Sequence, residues 1–132
     1  MPMYKAPIRD MQFIIHEVLQ MTDVFQNIPF YQQTEVELID SILDEAARFN
    51  ENIIHPLNQL GDKEGCRFEN GQVYTPKGFK EAYQQYVESG WLSLNAPINY
   101  GGQGLPKLLQ VFIDEMLASS NVSFSLYCVL TQ

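Results

Sequence analysis

The adjacent carboxylates Asp114 and Glu115 are the first candidates for chemistry, because enzymes use paired carboxylates for general acid–base catalysis. They lie in a segment of helical periodicity, where neighbouring side chains point about 100° apart. Two such side chains cannot face each other across a substrate as a catalytic carboxylate pair does. The spacing therefore favours salt bridges, and the sequence supplies no catalytic residue at this position.

Three glycines form the second candidate site, because glycine-rich loops can hold phosphate groups. Gly101, Gly102 and Gly104 belong to GWLSLNAPINYGGQGL, residues 90–105, which we call the elbow. A Walker loop requires Lys and Ser or Thr after its last glycine, and a dinucleotide-binding loop requires a buried strand before it. Neither is present. The pattern instead predicts a tight, structured turn between two helices, with Trp91 as its apolar anchor.

The histidines and cysteines show no metal-ligand spacing. Cys66 and Cys128 are far apart, without a CxxC motif, which predicts reduced thiols and no metal site. His16 lies at the edge of an apolar stripe, which indicates a surface or hydrogen-bonded histidine. His55 and Asn50 lie in the same long helix and could be read as site residues. We expect Asn50 to bond a neighbouring backbone group and His55 to face solvent.

Tyrosines at positions 74, 83 and 86 could stack on a ligand or form the edge of the core. Their helical spacing favours the edge of the core. No other feature of the sequence decides between the two.

Five segments with helical periodicity must position these residues. They run from Asp10, from Thr34 to Gly61, from Thr75 to Gly90, from Pro106, and from Val122 to Gln132. The second segment contains Pro56 and should kink in the preceding turn. The fourth is apolar nearly all round, which places it at the centre. Asn70-Gly71 between two short apolar runs predicts a β-hairpin. The fold class is therefore an all-α bundle of about five helices with one small hairpin.

Charge and composition exclude several classes of protein. The chain of 132 residues has 16 acidic and 8 basic side chains, so it lacks the basic surface of a nucleic-acid-binding protein. It shows no secretion signal, and its longest uncharged stretch is too polar for a membrane span. We therefore expect a cytoplasmic protein with no nucleic-acid partner.

A family resemblance is specific at the elbow. GWLSLNAPINYGGQGLPKLLQVFIDEML resembles the helix-turn-helix passage of the N-terminal helical domain of FAD-dependent acyl-CoA dehydrogenases, which has a Gly-Trp, a Pro, a Gly-Gly-x-Gly and then an acidic pair on a helix. The opening YKAPIRDMQFIIHEVL and the later GDKEGCRFENGQVYTPKGFKEAY are similar to the longer bacterial members of the methylthiopropionyl-CoA dehydrogenase subgroup. The resemblance divides the chain into an N-terminal extension, residues 1–33, and the helical domain, residues 34–132.

The resemblance implies an oxidoreductase of fatty acid metabolism, in which a base removes a proton α to the thioester carbonyl and FAD accepts the β-hydride. The acyl-CoA substrate, an electron-transfer acceptor and a homo-oligomeric assembly are implied with it. The base and most flavin contacts would lie in domains beyond this sequence, so we expect this fragment to be inactive and free of FAD. The last helix would line the acyl channel with Tyr127, Cys128, Val129 and Gln132.

The residues after Glu115 carry no charged side chain. Such a segment is suited to lie under other protein or along an apolar ligand rather than in water. We expect the chain to self-associate through this surface. The alternative to the enzyme domain is a stand-alone helical protein-interaction domain that uses the same surface.

Overall fold

The computed structural model describes residues 3–130 and confirms a helical fold with one hairpin. Its α-helices are α1 (Ile8–Phe13), α2 (Met21–Gln26), α3 (Val36–Phe49), α4 (Pro56–Glu64), α5 (Phe79–Glu88), α6 (Lys107–Ser120) and α7 (Val122–Val129). The strands are β1 (Arg67–Glu69) and β2 (Gln72–Tyr74). Short 3₁₀ turns lie at Pro29–Tyr31, Trp91–Ser93 and Ile98–Tyr100, and π-helical turns at Ile14–Val18 and Asn50–Ile54. Within the described residues, no helix is both long and apolar enough to cross a membrane.

The N-terminal helix begins at Ile8, with Pro7 rather than Asp10 at its N-cap. Only Met11 and Ile15 of its predicted apolar stripe are buried. A π-helical turn follows, in which the amide of Leu19 donates to a carbonyl five residues back, at 2.8 Å. The wider turn changes the angle between successive side chains, and the apolar residues at its end, Val18 and Leu19, lie outside the core.

The helices α3 and α4 form one continuous rod, because the π turn between them keeps helical backbone angles at Asn50 and His55. Pro56 has no amide hydrogen to donate. The turn before it, where the sequence predicted a kink, is this π turn. The amide of His55 donates to the carbonyl of Asn50 at 2.8 Å. The helix does not begin at Thr34 as predicted. Glu35 is the N-cap of α3 and no side chain caps it, while Thr34 is buried.

Gly61 does not end this rod, contrary to the sequence prediction. The helix continues to Glu64, and Gly65 follows it with φ of 64°. Gly61 is needed for packing, because a Cβ atom there would lie 2.6 Å from the ring of Phe79. The glycine lets α5 approach α4 closely.

The predicted hairpin is confirmed. Strands β1 and β2 pair antiparallel, with Arg67 opposite Tyr74 and Glu69 opposite Gln72. The turn residues Asn70 and Gly71 both have positive φ, 52° and 77°. This is the geometry of a two-residue type I′ turn, which Asn-Gly favours.

The helix α5 starts at Phe79 and not at Thr75 and Pro76 as predicted. Gly78 precedes it in the left-handed conformation, with φ of 87°, which interrupts any helix begun earlier. The residues from Thr75 to Gly78 therefore form a turn that connects the hairpin to α5.

The core is built around α6, as predicted. This helix packs against α3, the π turn and α7, and its apolar side chains are buried on more than one side. The buried residues of α6 are Leu109, Gln110, Phe112, Ile113, Met116, Leu117 and Ser120. Val111 and Ala118 are exceptions on its exposed side, with 51% of the surface of Val111 exposed. With α3 and α4 counted as one rod, six helical rods surround this core within residues 3–130.

A buried polar contact joins the long rod to α6. The side-chain amide of Asn50 donates to the carbonyl of Ala46 at 2.8 Å, which confirms its predicted backbone bond. Its oxygen accepts a hydrogen bond from the Ser120 hydroxyl at 3.0 Å. His55 is half-buried, with its Nδ1 3.3 Å from the Ser120 carbonyl, so the prediction that it faces solvent is wrong. The π turn directs it toward the end of α6.

Candidate functional site

The elbow is a packed turn rather than a phosphate loop. Its glycine amides donate within the elbow itself: Gly101 to the carbonyl of Ile98, Gly102 to that of Pro97, and Gly104 to that of Ala96. Amides that already have partners cannot bind a phosphate, which confirms the prediction of a tight turn. A Cβ atom at Gly102 would lie 2.0 Å from the Ala96 carbonyl oxygen, so this position requires glycine.

Trp91 anchors the elbow as predicted. Only 9% of its surface is exposed, and its ring packs edge-on against Phe49 at 6.5 Å between centroids. The buried indole nitrogen has no hydrogen-bond partner among the described residues. The contribution of Trp91 therefore comes from apolar packing rather than from a polar contact.

The acidic pair Asp114–Glu115 does not form the predicted salt bridges. Asp114 accepts a hydrogen bond from the Gln110 side-chain amide at 2.9 Å. Glu115 is exposed. The ion pairs among residues 3–130 involve other carboxylates, because the one base on α6, Lys107, lies about two helical turns from Asp114. The two residues have no geometry for acid–base catalysis.

The histidine His16 is hydrogen-bonded, in agreement with the prediction. Its Nε2 lies 2.8 Å from a carboxylate oxygen of Asp40 on α3. This contact joins the N-terminal segment to the long rod. In the part of the chain that the structure describes, no three His, Cys, Asp or Glu side chains are grouped so that they could hold a metal ion.

The two cysteines are thiols in different environments. Cys66 is exposed before the hairpin, with its sulfur 3.8 Å from the Tyr127 hydroxyl. Cys128 is fully buried, and burial, with a smaller effect of the Asp114 charge, raises the pKa of its thiol from 9.0 to about 11. A buried, protonated thiol is a poor nucleophile.

The residues predicted to line an acyl channel occupy different faces of α7. Tyr127 is 37% exposed, packs edge-on against Phe79 and lines a cleft beside the hairpin. Cys128 points into the core, and Val129 is 42% exposed. Gln132 lies outside the described residues. Consecutive helical residues diverge by about 100°, so these side chains do not converge on one point.

The start of α7 is held by Asn121. Its side-chain oxygen accepts the backbone amide of Phe124 at 3.0 Å, which is a typical N-cap bond. Its side-chain nitrogen lies 3.4 Å from the carbonyl of Ile54 in the long rod. The cap therefore sets the direction of α7 relative to the π turn.

Four apolar side chains form an exposed stripe on α7, which we call the outer face. They recur at the spacing of one helical face: Val122, Leu126, Val129 and Leu130. Leu130 is 77% exposed and Val122 is 62% exposed. The outer face is uncharged and can contact an apolar ligand or another protein surface.

A cleft that the sequence analysis did not identify lies beside the hairpin. It has a volume of about 760 Å³ and is lined by the hairpin, the turn before α5, the start of α5, and Tyr127. Tyr74 and Tyr83 form part of its wall, whereas Tyr86 is buried in the core. Of the three tyrosines that helical spacing assigned to the edge of the core, only Tyr86 is buried. The sequence feature that could have pointed to this cleft is the concentration of bases around the hairpin, where residues 63–80 contain four of the eight.

Comparison with known proteins matches this chain to one protein family and to two curated proteins. The family described as acyl-CoA dehydrogenase, N-terminal domain, matches residues 37–132. The chain is 41% identical over 128 residues to a 3-methylmercaptopropionyl-CoA dehydrogenase of Ruegeria pomeroyi, with 97% of this chain and 22% of that protein covered. It is 27% identical over 131 residues to a butyryl-CoA dehydrogenase of Syntrophomonas wolfei, with 97% and 21% covered. The chain thus spans about a fifth of the length of these curated relatives.

Proposed function

This chain belongs to the acyl-CoA dehydrogenase N-terminal domain family, and we propose that it works as that domain of an FAD-dependent acyl-CoA dehydrogenase. The observation that supports the proposal is the match of 97% of the chain to a protein named as an acyl-CoA dehydrogenase, at 41% identity. In the proposed reaction, a base removes a proton α to the thioester carbonyl of an acyl-CoA. FAD, when bound, supplies the acceptor for the β-hydride.

We propose that this chain contributes neither the base nor the main flavin contacts. The acidic pair on α6 lacks a catalytic arrangement, and the elbow amides are already hydrogen-bonded, so they offer no cradle for the cofactor's phosphates. Purification of the 132-residue chain with excess FAD, followed by gel filtration, tests this proposal. We expect a colourless protein without dehydrogenase activity. A stoichiometric yellow cofactor on the protein would contradict it.

We propose that α7 forms part of the wall of the acyl-chain pocket, with Tyr127, Cys128, Val129 and Gln132 as its contributing positions. The uncharged outer face supports this role, because an acyl chain requires apolar contacts and no charge. Val129 belongs to that face and is 42% exposed. Cys128 would act from the core side, by fixing the packing of the helix.

The test is a chain-length profile of the dehydrogenase that carries this domain. Val129→Phe should lower kcat/KM for long acyl-CoA substrates more than for short ones, by about tenfold, because each excluded methylene is worth roughly 1–3 kcal/mol. Val111→Phe is the matched control, since Val111 is also an exposed valine, on α6. Equal losses at all chain lengths would argue against a pocket position.

We further propose a cytoplasmic homo-oligomer that passes electrons to a separate electron-transfer acceptor. The alternative function, a stand-alone helical interaction domain, is favoured by the same outer face, which would then bind a protein. The two functions differ in one simple observation. A reading frame that continues from Gln132 into a β-rich segment supports the dehydrogenase, and a stop codon there supports the interaction domain.

A further inference from the structure

The cleft beside the hairpin has the dimensions of a small-molecule site. Its volume of about 760 Å³ lies within the range of roughly 300–1,000 Å³ that ligand pockets occupy. The hairpin lines it with Arg67, Val73 and Tyr74, and the start of α5 lines it with Lys80 and Tyr83. Tyr127 from α7 closes one side. With Glu64 at the end of α4, four separate elements of the fold therefore build it.

The cleft is richer in basic side chains than the chain as a whole, because three bases and two acids line it. Residues 63–80 contain four of the eight bases and only two of the 16 acids, although the whole chain has a net charge of −8. The bases Arg67, Lys77 and Lys80 line the cleft itself, together with the carboxylates Glu64 and Glu81. Glu64 accepts a hydrogen bond from the backbone amide of Lys77. Arg67 pairs with Glu69 at 3.1 Å, while no ion pair within residues 3–130 involves either lysine. The two lysine charges are available to an anion.

The aromatic groups of the cleft add flat apolar surfaces next to these charges. Tyr74 and Tyr83 are 41% and 37% exposed, so part of each side chain remains accessible. The Arg67 guanidinium lies over the Tyr74 ring at 5.7 Å and holds the two side chains together. Such surfaces stack well on the planar bases of nucleotides.

The backbone of the cleft is also held in place. The amide of Lys77 donates to the Glu64 carboxylate at 3.1 Å, which fixes the turn before α5 to the end of α4. Gly78 continues the turn in the left-handed conformation, and a Cβ atom there would lie 2.8 Å from Leu57. Lys77 therefore projects from a turn whose position is set by packing, and Lys80 projects from the first turn of α5. Little ordering of this backbone is required on binding.

We propose that this cleft binds a nucleoside phosphate, with the phosphate groups at Lys77 and Lys80 and the base against the tyrosines. Lysine is a common phosphate-binding residue, and a base needs the flat apolar surface that an inorganic anion does not. The proposal does not rest on the dehydrogenase function, because every residue of the cleft lies in this chain. The nucleoside phosphate could be a free nucleotide or the nucleotide group of coenzyme A.

Calorimetric titration of the 132-residue chain with ADP, adenosine, inorganic phosphate and coenzyme A tests the proposal. ADP should bind saturably, at least about tenfold more tightly than adenosine or phosphate alone, because both halves of the molecule contribute. Added salt should weaken it. Tighter binding of coenzyme A than of ADP would identify the larger molecule as the source of the nucleotide, and the reverse order would identify a free nucleotide.

Variants of the chain distinguish ADP binding in this cleft from nonspecific binding to surface charges. Lys77→Gln combined with Lys80→Gln should raise the Kd for ADP at least about tenfold, whereas the control Lys107→Gln on α6 should leave it unchanged. Tyr83→Ser should weaken ADP but not phosphate, in contrast to Tyr100→Ser, which changes a tyrosine that is 82% exposed in the elbow. The proposal is overturned if ADP does not bind, if the lysine variant binds it normally, or if phosphate binds as tightly as ADP.

Discussion

Individual residues here act mainly through burial. Trp91 and Cys128 are both enclosed by the core, one as the anchor of the elbow and the other on the inner side of α7. Neither is placed to react with a substrate. Their expected effects are on stability, and both can be measured in the isolated chain.

Replacement of Trp91 by Ala should lower the free energy of unfolding by about 3–5 kcal/mol, because it removes a large buried aromatic and leaves a cavity. Trp91→Phe should cost less, since the indole nitrogen has no partner to lose. Chemical denaturation measures both. Tyr100→Ala is the control at an exposed position of the elbow. A loss below about 1 kcal/mol for Trp91→Ala would indicate that the ring is not a structural anchor.

The thiol of Cys128 should make stability depend on pH in the alkaline range. Burial raises the pKa of this thiol from 9.0 to about 11, so the folded state favours the protonated form. The stability that comes from keeping this thiol protonated is fully present below about pH 9 and is lost as the pH rises through about 11. The loss relative to Cys128→Ala should be on the order of 2 kcal/mol.

Denaturation of the wild-type chain and of Cys128→Ala at pH 8, 10 and 11 measures this difference, and other titrating groups cancel in it. Cys66→Ala is the matched control, because Cys66 is exposed. A difference between wild type and Cys128→Ala that stays constant over this pH range would show that the thiol titrates normally in the folded state.

At the scale of elements, the fold depends on how the long rod meets α6. The π turn Asn50–Ile54 directs Asn50 into the core, where Ser120 at the end of α6 donates to it. Asn121, the next residue, caps α7 and lies against the carbonyl of Ile54. The π turn therefore determines the position of the helix that we assign to the acyl pocket.

Replacement of Asn50 by Ala should destabilise the chain by about 1–3 kcal/mol, because it leaves buried groups without hydrogen-bond partners. A double-mutant cycle with Ser120→Ala should show a coupling of about 1 kcal/mol, since the two side chains share one bond. The exposed pair Arg48–Glu45 serves as the control cycle, with an expected coupling below about 0.5 kcal/mol. Additive effects at Asn50 and Ser120 would show that the bond does not couple the rod to α6.

At the scale of the whole molecule, charge and apolar surface are separated. All 16 acidic side chains lie at or before Glu115, and the exposed outer face belongs to the uncharged segment that follows. Repulsion between acidic surfaces is screened within about 8 Å at physiological salt. The outer face is thus free to associate.

The chain should self-associate at micromolar concentration through the outer face, and high salt should not dissociate it, because burial of several Val and Leu side chains drives the process. Val129→Asp should yield a monomer by placing a charge in the interface. Sedimentation at several concentrations measures this. Ile98→Asp, at a residue 68% exposed in the elbow, is the control. A wild-type chain that is monomeric at every concentration would exclude association through the outer face.

The sequence alone determined the features that depend on short-range chemistry. The helical period predicted the bundle and the central position of α6, Asn70-Gly71 predicted the hairpin turn, and the elbow motif predicted a buried Trp91 and identified the family. Each of these is encoded within a few residues, because helix periodicity and turn geometry are local properties.

Only the tertiary structure decided the features that depend on residues distant in the sequence. Gly61 lies within a helix on which Phe79 packs, and Asp114 accepts a hydrogen bond from Gln110 and forms no ion pair with any residue between 3 and 130. The cleft beside the hairpin exists because α4, the hairpin, α5 and α7 meet there. These outcomes follow from packing between segments, which competes with local preference and overrides it when more apolar surface is buried.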